Sequence, residues 1–301
     1  MYNIVILTED RYDNIEAGDS NETNILLEDS LLQESLEKLG LMVYRTSWAN
    51  PEFDWNLTKA IVFRTTWDYF DRFAEFSEWF EKTKDKTSFI NPYETIKWNL
   101  DKHYLLDLKN AGINIPPTVF AEAGSKTSLT ELFKKSGWDE AVLKPAVSGA
   151  GRHTYRLNKK NIEKHQEVFG ELLRKESMML QEFQHNIVDK GEIAFMIMGN
   201  KFTHAILKKS KTGDFRVQDD FGGSVDTYKA NTEEIDFALR VVKDCGKETF
   251  YARVDVFYDN NNQLAIGELE LIEPELWFRF KNSAADELAK VVLNMDVKAK
   301  G

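Results

Sequence analysis

A mixed α/β fold, with an N-terminal α/β unit followed by a strand-rich unit, is predicted by three observations. The first hundred residues alternate apolar, strand-like runs with amphipathic helical ones. The stretch after Glu140 reads as strands joined by tight loops, and two late strand-like segments carry acids where a sheet should be apolar. At 301 residues the chain is long enough for two or three cores.

In chain order, NIVILTE reads as a buried opening strand and ILLEDSLLQESLEKLG as an amphipathic helix stopped by Gly40. LMVYRTSW and AIVFRTTW follow as strands, FAEFSEWFEKTK as a helix, and FINPYETIKWN, with Pro92, as a boundary. KWNLDKHYLLDLKNAG reads as one helix with Trp98, Tyr104, Leu105 and Leu108 inward, ended by Gly112. Pro116 and Pro117 then force an extended exit. AVLKPAV and HTYRLN form a hairpin around SGAG, and a helix spans Lys160 to Lys175. MMLQEF, GEIAFMIMGN and KFTHAILKKS read as successive strands of one antiparallel sheet. SKTGDFRVQDDFGGS is the one long irregular stretch, a kind of loop that in compact domains tends to be functional.

Composition narrows the function. Thirty-nine basic against 50 acidic residues leave a net charge of -11, which argues against nucleic acid or an anionic membrane as the main partner and for a small ligand. Cys245 is the only cysteine, so a disulfide framework and a cysteine metal site are both excluded, as expected in the reducing cytoplasm. No apolar run approaches the roughly 20 residues of a membrane span. The five histidines are scattered without metal-ligand spacing, and of these only His153 lies beside a candidate loop.

FYARVDVFY and QLAIGELELIEPEL carry the chemistry. Alternation places Asp255 on one face of the first segment and Glu268 and Glu270 together on one face of the second. The Asn-rich turn from Asp259 to Asn262 joins them as a hairpin, and a loop of four or six residues puts all three acids on a common face. Three carboxylates together repel without a cation, and hard oxygen ligands suit Mg²⁺, which binds through one or two carboxylates plus the phosphates of a nucleotide. The competing reading is the solvated face of an edge hairpin. Arg253 shares the face of Asp255 and either offsets its charge or pairs with Glu270.

Neither GxxxxGK[ST] nor GxGxxG occurs, so phosphates would need another device. The candidate is Lys144 on AVLKPAV, followed by Ser148, Gly149, Ala150 and Gly151, a loop small enough for its N–H groups to close over phosphate oxygens. Arg64, Trp67 and Asp68 end a strand of the first unit, where ligands of α/β units sit, and an arginine there could grip a substrate carboxylate.

Taken in order, six features resemble the ATP-grasp superfamily: Lys102 before GINIPPT, Lys144-Pro145 with its small-residue loop, Gln181-Glu182-Phe183, Glu192 after Gly191, Arg216 before Gly222-Gly223, and Asp255 with Glu268 and Glu270. The similarity is to the branch of glutathione synthetase, the ribosomal-protein glutamate ligases and a ligase of cycloserine assembly, and it covers nearly the whole chain. It implies an ATP-grasp fold with an N-terminal α/β domain over 1–92, a lid subdomain over 93–183 and a C-terminal antiparallel subdomain over 184–301 that carries the metal site. It also implies ATP and Mg²⁺ as cofactors. Lys102 and Lys144 would hold the α- and β-phosphates, Ser148, Gly149 and Gly151 would form the lid, and Gln181, Glu182 and Phe183 would hold the adenine. Glu192 would take the ribose, and Asp255, Glu268 and Glu270 the magnesium. Here the sequence departs from the commonest pattern, in which the last of these is Asn.

The resemblance further implies an ATP-dependent, ADP-forming carboxylate–amine ligase acting through an acylphosphate on a small amino-acid or peptide-like substrate. Arg216, Arg253 and Lys144 would be its catalytic residues, and Arg64, Lys208, Arg216, Gly222 and Gly223 its substrate-binding residues. Small-molecule acid and amine substrates are the expected partners, with a homodimer as the allowed assembly. The alternative is an ATP-binding regulator of the same fold that ligates nothing.

Overall fold

The computed structural model describes residues 1–15, 18, 20–211 and 222–295, which build three sheets. The first is wholly parallel, in the order β2-β1-β3-β4, from β1 (Tyr2–Thr8), β2 (Val43–Ser47), β3 (Thr58–Thr65) and β4 (Ser88–Ile90). Parallel neighbours need crossovers, and α1 (Asp10–Asp13), α2 (Ser20–Lys38) and α3 (Phe73–Thr83) lie in the connections. Ile4 and Ile6 of β1 pack with Leu32 and Leu36 of α2, whereas Val5 and Leu7 pack with Phe76 and Phe80 of α3, so the sheet is covered on both faces. Each such side chain, fully buried, stabilises by about 1.5–3 kcal/mol. The short strand β4 lies within the segment that its Pro92 had marked as a boundary.

The single helix expected around Lys102 is two helices, α4 (Tyr93–Asn99) and α5 (Tyr104–Asn110). Between them the Lys102 N–H donates to the Ala146 carbonyl at 2.9 Å, and Asp101 Oδ1 accepts the His103 N–H at 2.9 Å. The helix is thus broken by a bond to a distant loop, and Lys102 stands at the break.

The second sheet, antiparallel in the order β5-β8-β6-β7, comprises β5 (Thr118–Ala121), β6 (Glu140–Pro145), β7 (Tyr155–Asn158) and β8 (Met178–Glu182). Helices α6 (Leu129–Ser136) and α7 (Gln166–Leu173) supply Leu129, Phe133, Phe169 and Leu172 to its core. MMLQEF belongs here, which corrects its expected place beside GEIAFMIMGN: α8 (His185–Lys190) intervenes and carries the chain to another sheet.

That third sheet runs β11-β10-β9-β12-β13, from β9 (Glu192–Met198), β10 (Lys201–Lys209), β11 (Ser224–Tyr228), β12 (Tyr251–Tyr258) and β13 (Leu264–Glu270). Helix α9 (Thr232–Asp244), started by an Asn231/Glu234 capping box, packs Phe237, Ala238 and Val241 against it. Helix α10 (Ser283–Asn294) joins α2 and the first sheet in one continuous core. Asn91, wholly buried, ties the first sheet to the third: its Nδ2 donates to the carbonyls of Tyr251 (2.9 Å) and Leu271 (2.7 Å). No helix of the described residues is long and apolar enough to cross a membrane.

Candidate active site

The β12/β13 hairpin sets the site. Tyr258 pairs with Leu264 and Val256 with Ile266, so the connecting loop is five residues, not the four or six expected. An odd loop alone would put Asp255 opposite Gly267. A bulge there shifts the register, and Asp255 instead faces Glu268 while Arg253 faces Glu270. The common acidic face survives because two departures cancel. Glycine suits the bulge, since a Cβ at Gly267 would stand 3.0 Å from Glu192 Oε2.

Two adjoining hollows open over this face. The inner one is lined by Gln181, Glu182, Phe183, Glu192 and Asp255, and the outer one by Lys102, the Ser148–Gly151 loop, Trp67, Tyr69, Phe70, Glu273 and Trp277. Lys144, Thr154, Lys208, Arg253, Glu268 and Glu270 line both and so form the wall they share. Most of the residues expected at the site therefore come together, drawn from all three sheets.

On the wall, charges are paired. Lys102 Nζ contacts Glu268 Oε1 at 2.9 Å and donates to the Ser148 carbonyl at 2.5 Å. Lys208 Nζ lies 2.6 Å from Glu192 Oε1 and 2.7 Å from Asp255 Oδ2. Arg253 reaches Asp255 Oδ2 at 2.9 Å and also pairs with Glu270, as the charge-partner reading of Arg253 requires. Lys144 is the exception: among the described residues no carboxylate lies within ion-pair distance of its ammonium. Burial and the nearby Lys102 charge outweigh Glu268 and hold Lys144 below the ordinary lysine range. A half-buried, unpaired cation with a lowered pKa is a receptor for an anion.

The acids respond in opposite directions. Burial favours neutral Asp255 and Glu268, but Arg253 with Lys208, and Lys102 with Lys144, outweigh it and hold both below the carboxylate norm. Burial pushes Glu270 up to about 8, aided by Asp255, Glu268 and Glu273 and only partly offset by Arg253. Glu273 is pushed up to about 7, by burial first and by Glu268 among its neighbours. This side of the wall is short of positive charge, which suits a divalent cation held by one or two carboxylates. Among the described residues, however, no three His, Cys, Asp or Glu side chains stand close enough to hold a metal together. Of the expected three, Asp255, 2% exposed, bonds Lys208 and Arg253 and lines the inner hollow, while Glu268 and Glu270 line both hollows.

At the inner hollow, Gln181 Nε2 donates to Thr118 Oγ1 at 3.0 Å, and Phe183 is buried with the Arg156 guanidinium 3.8 Å from its ring centre. The Phe183 N–H donates to the Glu140 carbonyl at 3.1 Å and its carbonyl accepts from Asn260 Nδ2 at 2.9 Å. Gly191 must be glycine: its φ is +90°, and a Cβ would lie 2.5 Å from the Lys208 carbonyl.

Arg64 is a correction. It is 1% exposed, bonds Glu28 Oε1 at 3.1 Å and lies beside the Phe278 ring, outside both hollows. Glu28 in turn accepts the N–H groups of Leu276 (2.6 Å) and Phe278 (2.8 Å), so this pair clamps α2 to the loop after β13. Lys208 lines the cleft but is spent on two carboxylates. Arg216 lies outside the described residues; Gly222 and Gly223 are described but line neither hollow, and Val225 is the cleft-lining residue nearby.

Sequence reasoning named Trp67 at this strand end and passed over Phe70; both line the outer hollow, together with Tyr69 and Glu273. Trp67 Nε1 donates to the Glu273 carbonyl at 3.0 Å, a Cβ on Gly149 would fall 2.5 Å from the Phe70 ring, and Arg152 bridges to Asp71 at 3.2 Å. The small-residue loop thus lies against the first unit. The aromatic cluster WDYF just past a strand end was the one available signal.

The RimK-like ATP-grasp domain profile matches residues 101–272, and the profile of the N-terminal domain of D-cycloserine synthetase DcsG matches 4–91. The cycloserine biosynthesis protein DcsG of Streptomyces lavendulae is 26% identical over 280 residues, 87% of this chain and 91% of that protein. The crystal structure of D-cycloserine synthetase DcsG superposes with a TM-score of 0.84 at 24% identity, covering 96% of this chain and 98% of the other. A RimK domain ATP-grasp protein from Sphaerobacter thermophilus superposes with a TM-score of 0.68 at 15% identity, over 97% of this chain and all of that one.

Proposed function

This chain belongs to the RimK-like ATP-grasp family, and from that premise we propose that it is an ATP-dependent, ADP-forming ligase that joins a small carboxylate to an amine through an acylphosphate. The observation that carries the reading is Lys144, an unpaired cation on the wall shared by two hollows, with paired charges on every side. In this reading adenine lies in the inner hollow along Gln181, Glu182 and Phe183, and Glu192 takes the ribose. Lys102 and Lys144 hold phosphates at the wall. The Ser148–Gly151 loop covers them and keeps water from the acylphosphate. Arg253 holds the acids of the wall in place. Magnesium, when bound, would neutralise charge between phosphates, with Glu268 and Glu270 as the residues to hold it. Positioning and charge neutralisation are the main demands of phosphoryl transfer, and a wall rich in fixed charges suits them.

The acid and amine would enter the outer hollow between WDYF and the loop after β13, over the N-terminal unit. Likeness to a cycloserine biosynthesis protein makes an amino-acid-derived amide of the cycloserine type the first product to seek. A single cysteine, Cys245, fits a cytoplasmic setting.

The test is ADP release from ATP and Mg²⁺ across a panel of amino acids and dipeptides, with Lys144→Ala and Asp255→Asn as controls. Release that needs both an acid and an amine, and that both variants lose, is the expected result. Nucleotide binding without turnover on any pair would contradict it and favour a regulator.

A further inference from the structure

A ligase of this kind must receive its amine as the free base, although most amines arrive protonated, and none of the residues given roles above removes that proton. Four acids line the outer hollow: Glu268, Glu270, Glu273 and Glu275. Three have cations: Glu268 has Lys102, Glu270 has Arg253, and Glu275 has Arg279. Glu273 alone has no ion-pair partner among the described residues. Its main-chain carbonyl accepts from the Trp67 indole at 3.0 Å, and the neighbouring Tyr69 hydroxyl favours its ionised form, so two residues of the first unit hold Glu273 at the hollow. Trp67, Tyr69, Phe70 and Trp277 supply aromatic walls around it, a setting that favours a cation.

We propose that Glu273 is a catalytic residue that binds the substrate's ammonium group and takes its proton; this rests on the ligase reading above. The step balances as follows. The ammonium gives one proton to a Glu273 carboxylate oxygen, and the freed nitrogen lone pair attacks the acylphosphate carbonyl carbon. A C–N bond forms, the C–O bond to phosphate breaks with its electron pair on oxygen, and the second nitrogen proton leaves with the phosphate. Glu273 later returns its proton to solvent. The substrate class that follows is a small primary amine. Charged and titratable groups facing Glu273 are Tyr69, Lys102, Glu268, Glu270 and Tyr251. Burial that pushes Glu273 up to about 7 makes it a stronger base than an exposed glutamate.

The experiment compares two nucleophiles on the full chain with ATP, Mg²⁺ and the amino acid that turns over best: methylamine, which must lose a proton, and hydroxylamine, which is neutral at pH 7.5. In Glu273→Gln, amide formation with methylamine should fall at least about a hundredfold while hydroxamate formation stays within about threefold of wild type. Tyr69→Phe removes a hydroxyl that lowers the Glu273 pKa, so the acidic limb of the methylamine pH profile should move to higher pH, a readout that does not require the Gln variant to fold. Equal losses with both nucleophiles, no loss with either, or an unmoved limb in Tyr69→Phe would overturn the assignment. If wild-type protein formed hydroxamate from no amino acid, the ligase reading would fall first and the assignment with it.

Discussion

Arg64 and Arg253 sit in near-identical company, each inside an apolar strand, AIVFRTTW and FYARVDVFY, and each paired with a buried acid. Above Arg64 lies α2, whose Glu28 is also bonded by two main-chain N–H groups, so the pair is enclosed on every side. Above Arg253 lies an opening, shared with Glu268, Glu270 and the unpaired Lys144. A charged residue in a strand therefore marks a site only when the space over its face is left open. What covers that face is decided by distant parts of the chain.

The largest effect that could break this contrast is on stability. Replacing Arg64 with Met leaves Glu28 buried without its cation and should cost about 3–5 kcal/mol in denaturant unfolding, with nucleotide affinity of the folded fraction unchanged. Loss of nucleotide binding at full stability would put Arg64 back in the site. Lys144→Ala should do the reverse: because Glu268 keeps its direct contact with Lys102, unfolding should move little while calorimetry shows nucleotide binding weaker by about 1.5–3 kcal/mol.

A smaller effect is expected at the loop. The methyl group of Gly149→Ala would fall 2.5 Å from the Phe70 ring, and pushing the loop off the first unit should lower turnover by the equivalent of about 1–3 kcal/mol. Recovery in the double variant with Phe70→Ala would locate the cause at that contact. Failure to recover would show that the loop works in another position.

The smallest effect is a pH slope. Glu28 and Glu273 are pushed up to about 7 and Glu270 to about 8, against an ordinary 4.5. A carboxyl raised in the folded state stabilises fully below its unfolded pKa, and that share is lost as pH climbs through the folded value. His204, pushed down to about 4, acts oppositely but is finished by pH 6.5. The ligand-free Tm should therefore fall between pH 6.5 and 8. A magnesium nucleotide should flatten the part that belongs to Glu270 and leave the part that belongs to Glu28. An equal slope with and without nucleotide would mean that the two regions are electrostatically alike.

Much of this was readable in advance because it is local. Alternation in FYARVDVFY and QLAIGELELIEPEL put the acids on one face, and AVLKPAVSGAG placed a lysine before a small-residue loop. The features that escaped depend on long-range geometry. The bulge at Gly267 reverses the face of every residue beyond it, and the break at Lys102 comes from a bond to Ala146, 44 positions away by number. Arg64 looked like a ligand clamp because nothing nearby in the chain reveals Glu28. Tyr69, Phe70 and Glu273 join the site only when the first unit folds over the third sheet, a contact that no periodicity encodes.

The most direct test of the central claim is a crystal structure of the protein with a non-hydrolysable ATP analogue and Mg²⁺. The adenine should lie against Phe183 and Glu182, with the phosphates crossing the shared wall at Lys102 and Lys144 and the metal beside Glu268 and Glu270. A nucleotide seated elsewhere, or phosphates out of reach of Lys144, would contradict it.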